Sequence, residues 1–131
     1  MTILDTPEMT MKALLLVAHG SRRVESNEEV REIAGRLEAQ TGGTYGWVQS
    51  AFLEIAAPSI PDGLRAAIRA GAKQVTVVPY FLSAGRHVVE DIPAEIGVVR
   101  QEYPDIEIVL APYLGSAAGV TDLLLLQAQQ I

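Results

Sequence analysis

Leu14-Leu15-Leu16-Val17-Ala18-His19-Gly20-Ser21 is the stretch on which the fold turns. Five apolar residues follow one another without polar alternation, and the chain then passes at once into a histidine, a glycine and a serine. A continuous apolar run bounded by a turn signal reads as a strand buried on both faces, as in a parallel sheet covered by helices. A second run of this kind, Val75-Thr76-Val77-Val78-Pro79-Tyr80, leads into Phe81-Leu82-Ser83-Ala84-Gly85-Arg86-His87. His19 and His87 are the only two histidines of the chain. Each lies beyond the carboxyl end of such a run, on the edge of an open α/β sheet where ligands collect.

Outward from these runs, strands are expected near residues 12–18, 44–52, 74–80 and 106–111, alternating with four helical patterns. That alternation is the mark of an α/β fold with a mostly parallel sheet of about four strands. In the first helix Val30, Ile33, Ala34 and Leu37 form the buried stripe, with Arg31, Glu32, Arg36 and Glu38 opposite. Ser26 and Glu29 have the spacing of a capping box, and Gly42-Gly43 ends the element. The second helix takes Ser59 as its N-cap, Pro61 and Asp62 in its first turn, Leu64, Ala67 and Ile68 as its stripe, and Gly71 as its stop. The third opens around Asp91 with Pro93 in its first turn and runs through Ile92, Ile96 and Val99. A short helix over residues 121–130 closes the chain. Residues 1–11 are expected to be a leader and 12–131 a single domain.

A chain of 131 residues is one domain long, and at that size roughly two thirds of the unfolded surface can be buried. The formal charge of -6 supplies no field to hold a phosphate backbone, so nucleic acid is not expected as a partner. With no cysteine, a metal must rely on His, Asp and Glu. The first ten residues include Asp5, Pro7 and Glu8, without a basic start or a long apolar stretch, and so read as no export signal; the expected location is the cytoplasm. Leu123, Leu124, Leu125 and Leu126 are too few to cross a bilayer. On a sheet this small they imply a face covered by a second copy, and a homodimer is expected.

Glu54, in Phe52-Leu53-Glu54-Ile55-Ala56-Ala57-Pro58-Ser59, follows the second strand and opens onto the same sheet edge as His19 and His87. Two imidazoles and one carboxylate suit cobalt, iron, nickel or zinc and make a partly open site rather than a closed cage. Taken singly, each residue has a plainer reading: a histidine hydrogen-bonded for structure, or a carboxylate at a helix entrance. Ser21, Arg22 and Arg23 lead towards a helix N-terminus, and Arg86 adjoins His87. They form either a positive rim for an anionic ligand or ion pairs with Glu25, Glu28, Glu29 and Glu90. Tyr80 and Phe81 are either a wall for a flat ligand or core residues.

The pattern as a whole resembles the class II tetrapyrrole chelatases of the small CbiX type, with the SirB ferrochelatases as neighbours. The resemblance is carried by Leu-Leu-Val-Ala-His-Gly-Ser-Arg ending at Arg22, by Asn27, and by Phe52-Leu53-Glu54 followed by Pro58-Ser59-Ile60-Pro61. It continues through Val78-Pro79-Tyr80-Phe81-Leu82 to Gly85, His87 and Asp91-Ile92-Pro93. It implies a flavodoxin-like chelatase lobe that homodimerises and inserts a divalent metal into sirohydrochlorin without ATP. On that resemblance His19, His87 and Glu54 are the catalytic and metal-handling residues. Ser21, Arg22, Tyr80, Phe81, Leu82, Ser83, Gly85 and Arg86 line the substrate. No permanent cofactor is implied; the metal is a substrate, with Co2+ first, then Fe2+ for sirohaem, then Ni2+.

Three competing readings differ in their tests. A histidine phosphatase requires an arginine directly before its histidine, where this chain has Ala18. A carrier of metal or tetrapyrrole would use the same residues but would not turn over. An α/β interaction domain with incidental histidines would retain no metal.

Overall fold

The computed structural model describes residues 10–130. Along the chain come β1 (Lys12–Ala18), α1 (Val24–Gln40), β2 (Trp47–Phe52), α2 (Ile60–Arg69), β3 (Gln74–Pro79), α3 (Ile92–Glu102), β4 (Glu107–Leu110) and α4 (Val120–Ala128). A π-helical turn, His87–Asp91, runs directly into α3, and a 3₁₀ turn, Leu114–Ser116, precedes α4. All strand pairings are parallel, in the order β2-β1-β3-β4. The α/β architecture expected from the sequence is therefore the one observed.

β1 is paired on both sides, and alternate residues face alternate helix layers. Leu15 and Val17 join Leu64, Val75, Val77, Ile92, Ile96 and Val99 in the larger core, under α2 and α3. Leu16 and Ala18 join Val30, Ala34 and Phe52 in a smaller one under α1. Each side chain of this size is worth roughly 1.5–3 kcal/mol when fully buried, so the central strand ties both layers to one plane.

The second helix starts as expected: Ser59 Oγ accepts from Asp62 N at 3.2 Å, with Pro61 in the first turn. The first helix does not. It begins at Val24, two residues before Ser26, and its N-cap Arg23 makes no side-chain cap bond. Ser26 instead lies inside the first turn, donating its backbone N–H to Arg23 O, so no capping box forms with Glu29. β2 begins at Trp47 rather than residue 44, because Thr44 N closes a turn on Thr41 O and Gly46 N reaches Lys12 O. Of the expected leader, residues 1–9 lie outside the described residues. Met11 belongs to the fold, for it packs on the larger core and its carbonyl accepts from Lys73 N.

α4 has no buried residue, and Leu123, Leu124, Leu125 and Leu126 are each more than half exposed. No described helix is long and apolar enough to cross a membrane.

Candidate active site

The strand order reverses direction at β1: the first crossover leads to β2 on one side, the next to β3 on the other. Such a switch point leaves a crevice beyond the carboxyl ends of the two strands, here β1 and β3. His19 follows β1, and the chain after β3 leads to His87. Their rings meet edge to face, centroids 4.7 Å apart and planes at 63°.

Glu54 reaches this point because the β1–β2 pairing outlasts the strands. Leu53 N donates to Ala18 O at 3.0 Å, and Glu54 N to His19 O at 3.1 Å. The Glu54 side chain then turns back, with Oε1 3.0 Å from His19 Nε2. The next residue, Ile55, has φ 74°, a left-handed conformation that β-branched residues avoid and that stores strain of order 1–3 kcal/mol. Arg31 of α1 holds the far side of this loop, donating to Ala57 O at 3.1 Å and lying 5.2 Å over the Phe52 ring.

The His19 loop is closed by a residue that propensity alone does not single out. Asn27 is buried in α1; its Oδ1 accepts from Ser21 N at 2.9 Å and its Nδ2 donates to Ser21 O at 2.8 Å. Ser21 Oγ in turn accepts from Arg23 N at 3.0 Å. The Asn27 side chain thus ties the loop to α1 without capping any helix amide.

His87 was expected in a glycine-containing loop. It occupies instead the first position of the π-helical turn, initiated where Val88 N and Val89 N both donate to Gly85 O. One consequence is that Asp91, read from the sequence as a helix start, sits one turn along the same face. Its Oδ2 is 2.7 Å from His87 Nδ1. Leu53, Glu54, His87, Asp91, Ala94 and Glu95 line an open cleft of about 350 Å³. Burial, reinforced by the charge of Asp91, raises the Glu95 carboxyl above its ordinary range. A second hollow, lined by His19, Ser21, Asn27, Phe52 and Tyr80 among others, lies on the other side of the histidine pair. A further cavity of about 450 Å³ shares no lining residue with either and lies between α1, α2 and the β2 edge.

His19, His87 and Glu54 thus come together. Among the described residues no three His, Asp or Glu side chains are already closed around a point that would hold a metal. The polar atoms are turned on one another: His19 Nε2 to Glu54, His19 Nδ1 to Gly20 O at 2.9 Å, and His87 Nδ1 to Asp91. Binding an ion here requires side-chain rotation, which partly exposed residues can make.

The other residues read as substrate contacts are distributed around this centre. Tyr80, Leu82 and Leu114 line a small hollow, and Leu82 is 73% exposed. Phe81 packs instead against the larger core. Gly115 N donates to Phe81 O at 2.9 Å, and Gly115 has no Cβ to meet the Leu82 carbonyl, so the 3₁₀ turn props this loop from below. Ser83, Gly85 and Arg22 are on the surface. Arg86 is 3.6 Å from Glu90 and Arg23 is 3.9 Å from Glu25, so the ion-pair reading of the arginines applies to these two. Asp91 and Glu95 were missed as site residues; their i+4 and i+8 spacing from His87 was the available signal.

The CbiX family profile matches residues 13–131. The chain is 38% identical over 102 residues to the chloroplastic sirohydrochlorin ferrochelatase of Arabidopsis thaliana, covering 78% of this chain and 44% of that protein. It is 41% identical over 88 residues to the sirohydrochlorin cobaltochelatase of Methanococcus maripaludis, covering 67% of this chain and 60% of that one. It therefore spans between 44% and 60% of the length of these relatives. Among solved structures, the sirohydrochlorin chelatase SirB from Bacillus subtilis subspecies spizizenii in complex with cobalt superposes with TM-score 0.83 at 29% identity, covering 93% of this chain and 51% of that one. A CbiX protein from Marinobacter aquaeolei VT8 gives TM-score 0.71 at 28% identity, covering 92% of this chain and 99% of that one. With the profile running from β1 through α4 and the same fold recurring in its relatives, the chain belongs to the CbiX family.

Proposed function

We propose that this chain inserts a divalent metal ion, Co2+ in the first instance, into sirohydrochlorin without ATP, as a step of cobalamin synthesis. The observation that carries this reading is the edge-to-face pair His19 and His87, 4.7 Å apart, with Glu54 on His19 at 3.0 Å, at the switch point of the sheet. Insertion removes water from the ion and two pyrrolic protons from the macrocycle, so each turnover exchanges one M2+ for two H+. An imidazole nitrogen is able to do either job near neutral pH. His19 and His87 receive the ion and the pyrrolic protons on one face of the ring, and Glu54 takes protons from His19 towards solvent. Ser21 and Arg22 face the peripheral carboxylates of the substrate, with Arg86 exchanging its Glu90 pairing for one of them, while Tyr80 and Leu82 lie against its plane.

A lobe that spans half of the SirB chain and nearly all of the Marinobacter CbiX chain supports a homodimer in which a second copy supplies the opposite wall. The uncovered leucines of α4 are its contact. The working location is the cytoplasm, with no nucleic acid or membrane partner.

The similarity to the Arabidopsis ferrochelatase favours Fe2+ as the second metal. Initial rates with Co2+, Fe2+ and Ni2+ on sirohydrochlorin test the whole reading. More than one equivalent of metallated product per chain, fastest with Co2+, is expected; a single equivalent with any metal would leave a carrier, and faster Fe2+ insertion would make the protein a ferrochelatase.

A further inference from the structure

The two histidines are held differently. Both ring nitrogens of His19 face oxygen atoms: Nδ1 lies 2.9 Å from Gly20 O and Nε2 lies 3.0 Å from Glu54 Oε1. His87 has one such contact, Nδ1 to Asp91 Oδ2 at 2.7 Å, and its Nε2 has no hydrogen-bond partner among the described residues. A carboxylate only accepts, so the nitrogen facing it must carry the proton. The tautomer satisfying that contact is Nδ1–H, which leaves the lone pair on Nε2. Free imidazole side chains in water favour the opposite tautomer, with the proton on Nε2, and that form would meet an ion with an N–H.

The contact is built by the backbone. The π-helical turn, closed where Ile92 N donates to His87 O, places Asp91 one turn above His87 on one face of the helix. Burial of Ile92 and Ile96 fixes that helix against the sheet.

We propose that Asp91 is a positioning residue: by accepting a hydrogen bond from His87 Nδ1–H it holds the imidazole in the tautomer and orientation that offer the Nε2 lone pair to the incoming metal ion. The consequence for catalysis rests on the chelatase reading above; the tautomer itself does not. The contact assigned to Asp91 is with the ring of His87. It acts on the histidine alone, as carboxylates behind metal-binding histidines do.

The test is long-range 15N–1H NMR of the full chain without metal, in mildly alkaline buffer, with the two histidine signals assigned by a His19→Gln variant. In the wild type His87 is expected as the Nδ1–H tautomer. In Asp91→Ala it is expected to relax to the Nε2–H form, and in the isosteric Asp91→Asn, whose amide can accept or donate, to a mixture. A wild-type His87 carrying its proton on Nε2, or one unmoved by both substitutions, would overturn the proposal whether or not the protein is a chelatase. In Co2+ insertion assays, both variants should lower kcat/KM for the metal by about 10–100-fold with the KM for sirohydrochlorin unchanged, and Asp91→Glu should recover part of the loss. Unaltered metal kinetics in an actively inserting Asp91→Ala enzyme would remove the catalytic role. If the wild type inserts no metal, the fault lies with the chelatase reading, and the NMR result still decides the role of Asp91. Should the alanine variant not fold, the asparagine variant carries both measurements.

Discussion

Gly20 and Glu54 are in backbone contact: a Cβ on Gly20 would run into the carbonyl oxygen of Glu54, and Gly20 has φ 96°. The closeness of the His19 and Glu54 loops thus depends on a residue without a side chain. Gly20→Ala is expected to cost about 2–4 kcal/mol, from left-handed backbone strain and the displaced loop. It should also reduce insertion, because moving either loop separates His19 from Glu54. Urea unfolding and initial rates measure the two effects; a variant as stable as the wild type would show that the loops can part at no cost.

Asn27 satisfies both main-chain groups of Ser21. Asn27→Ala leaves that pair without a partner in a half-buried loop, at a cost of about 2 kcal/mol. Loss of activity should exceed what the loss of folded protein explains, since the His19 loop is what loosens. Equal activity per folded molecule would argue that Asn27 serves only the helix.

His87 is nearly half exposed and lies in neither core, so His87→Ala should melt within a few degrees of the wild type. Insertion should fall on the order of 10²–10⁴-fold, the scale of a lost proton-transfer group, and further if the metal is no longer received. Near-normal turnover would end the assignment of the site.

Glu95 is held above its ordinary range first by burial and then by Asp91. Folding therefore favours its protonated form. The favourable contribution is complete below the unfolded value and disappears as pH rises through the folded one. Glu95→Gln should consequently melt higher than the wild type at neutral pH, with the gap closing in acid. Thermal melts across that range give the answer, and a gap that widens in acid would reverse the sign of the argument.

Replacing Leu124 and Leu125 together by Glu should abolish self-association seen by sedimentation, with the far-UV spectrum of the remaining fold unchanged, because α4 buries nothing within its own chain. An unaltered sedimentation coefficient would show that these leucines are not the contact.

What could be read from the sequence followed from local rules. The range expected for β1 matches the observed strand, because the apolar run is bounded by Lys12 at one end and by His19-Gly20 at the other. The Ser59 cap was legible because its partner is three residues away. The Ser21–Asn27 closure was not, since an asparagine that pairs with a loop main chain looks the same as any helix asparagine. The position of Glu54 depends on strand pairing carried one step past β2, a tertiary fact. His87 was placed in a loop because glycine and serine precede it; the π-helical turn comes from how α3 docks against the sheet. The proximity of His19 and His87 was legible as a shared sheet edge, although their edge-to-face contact was not.

The His19 loop is tied through Ser21 to Asn27 on α1, and His87 stands at the head of the helix that continues as α3. α1 and α3 grip opposite faces of the sheet. The imidazoles are therefore the tips of a pair of calipers whose arms are the two helix layers. Because a close-packed interior transmits strain rather than absorbing it, a change in core volume beneath either arm is read at the tips as a wider or narrower gap. On the proposed chelatase reading, repacking at Val99 or Ala34 becomes a way to alter preference among ions of different radius from deep inside the protein, with every residue at the rim left as it is.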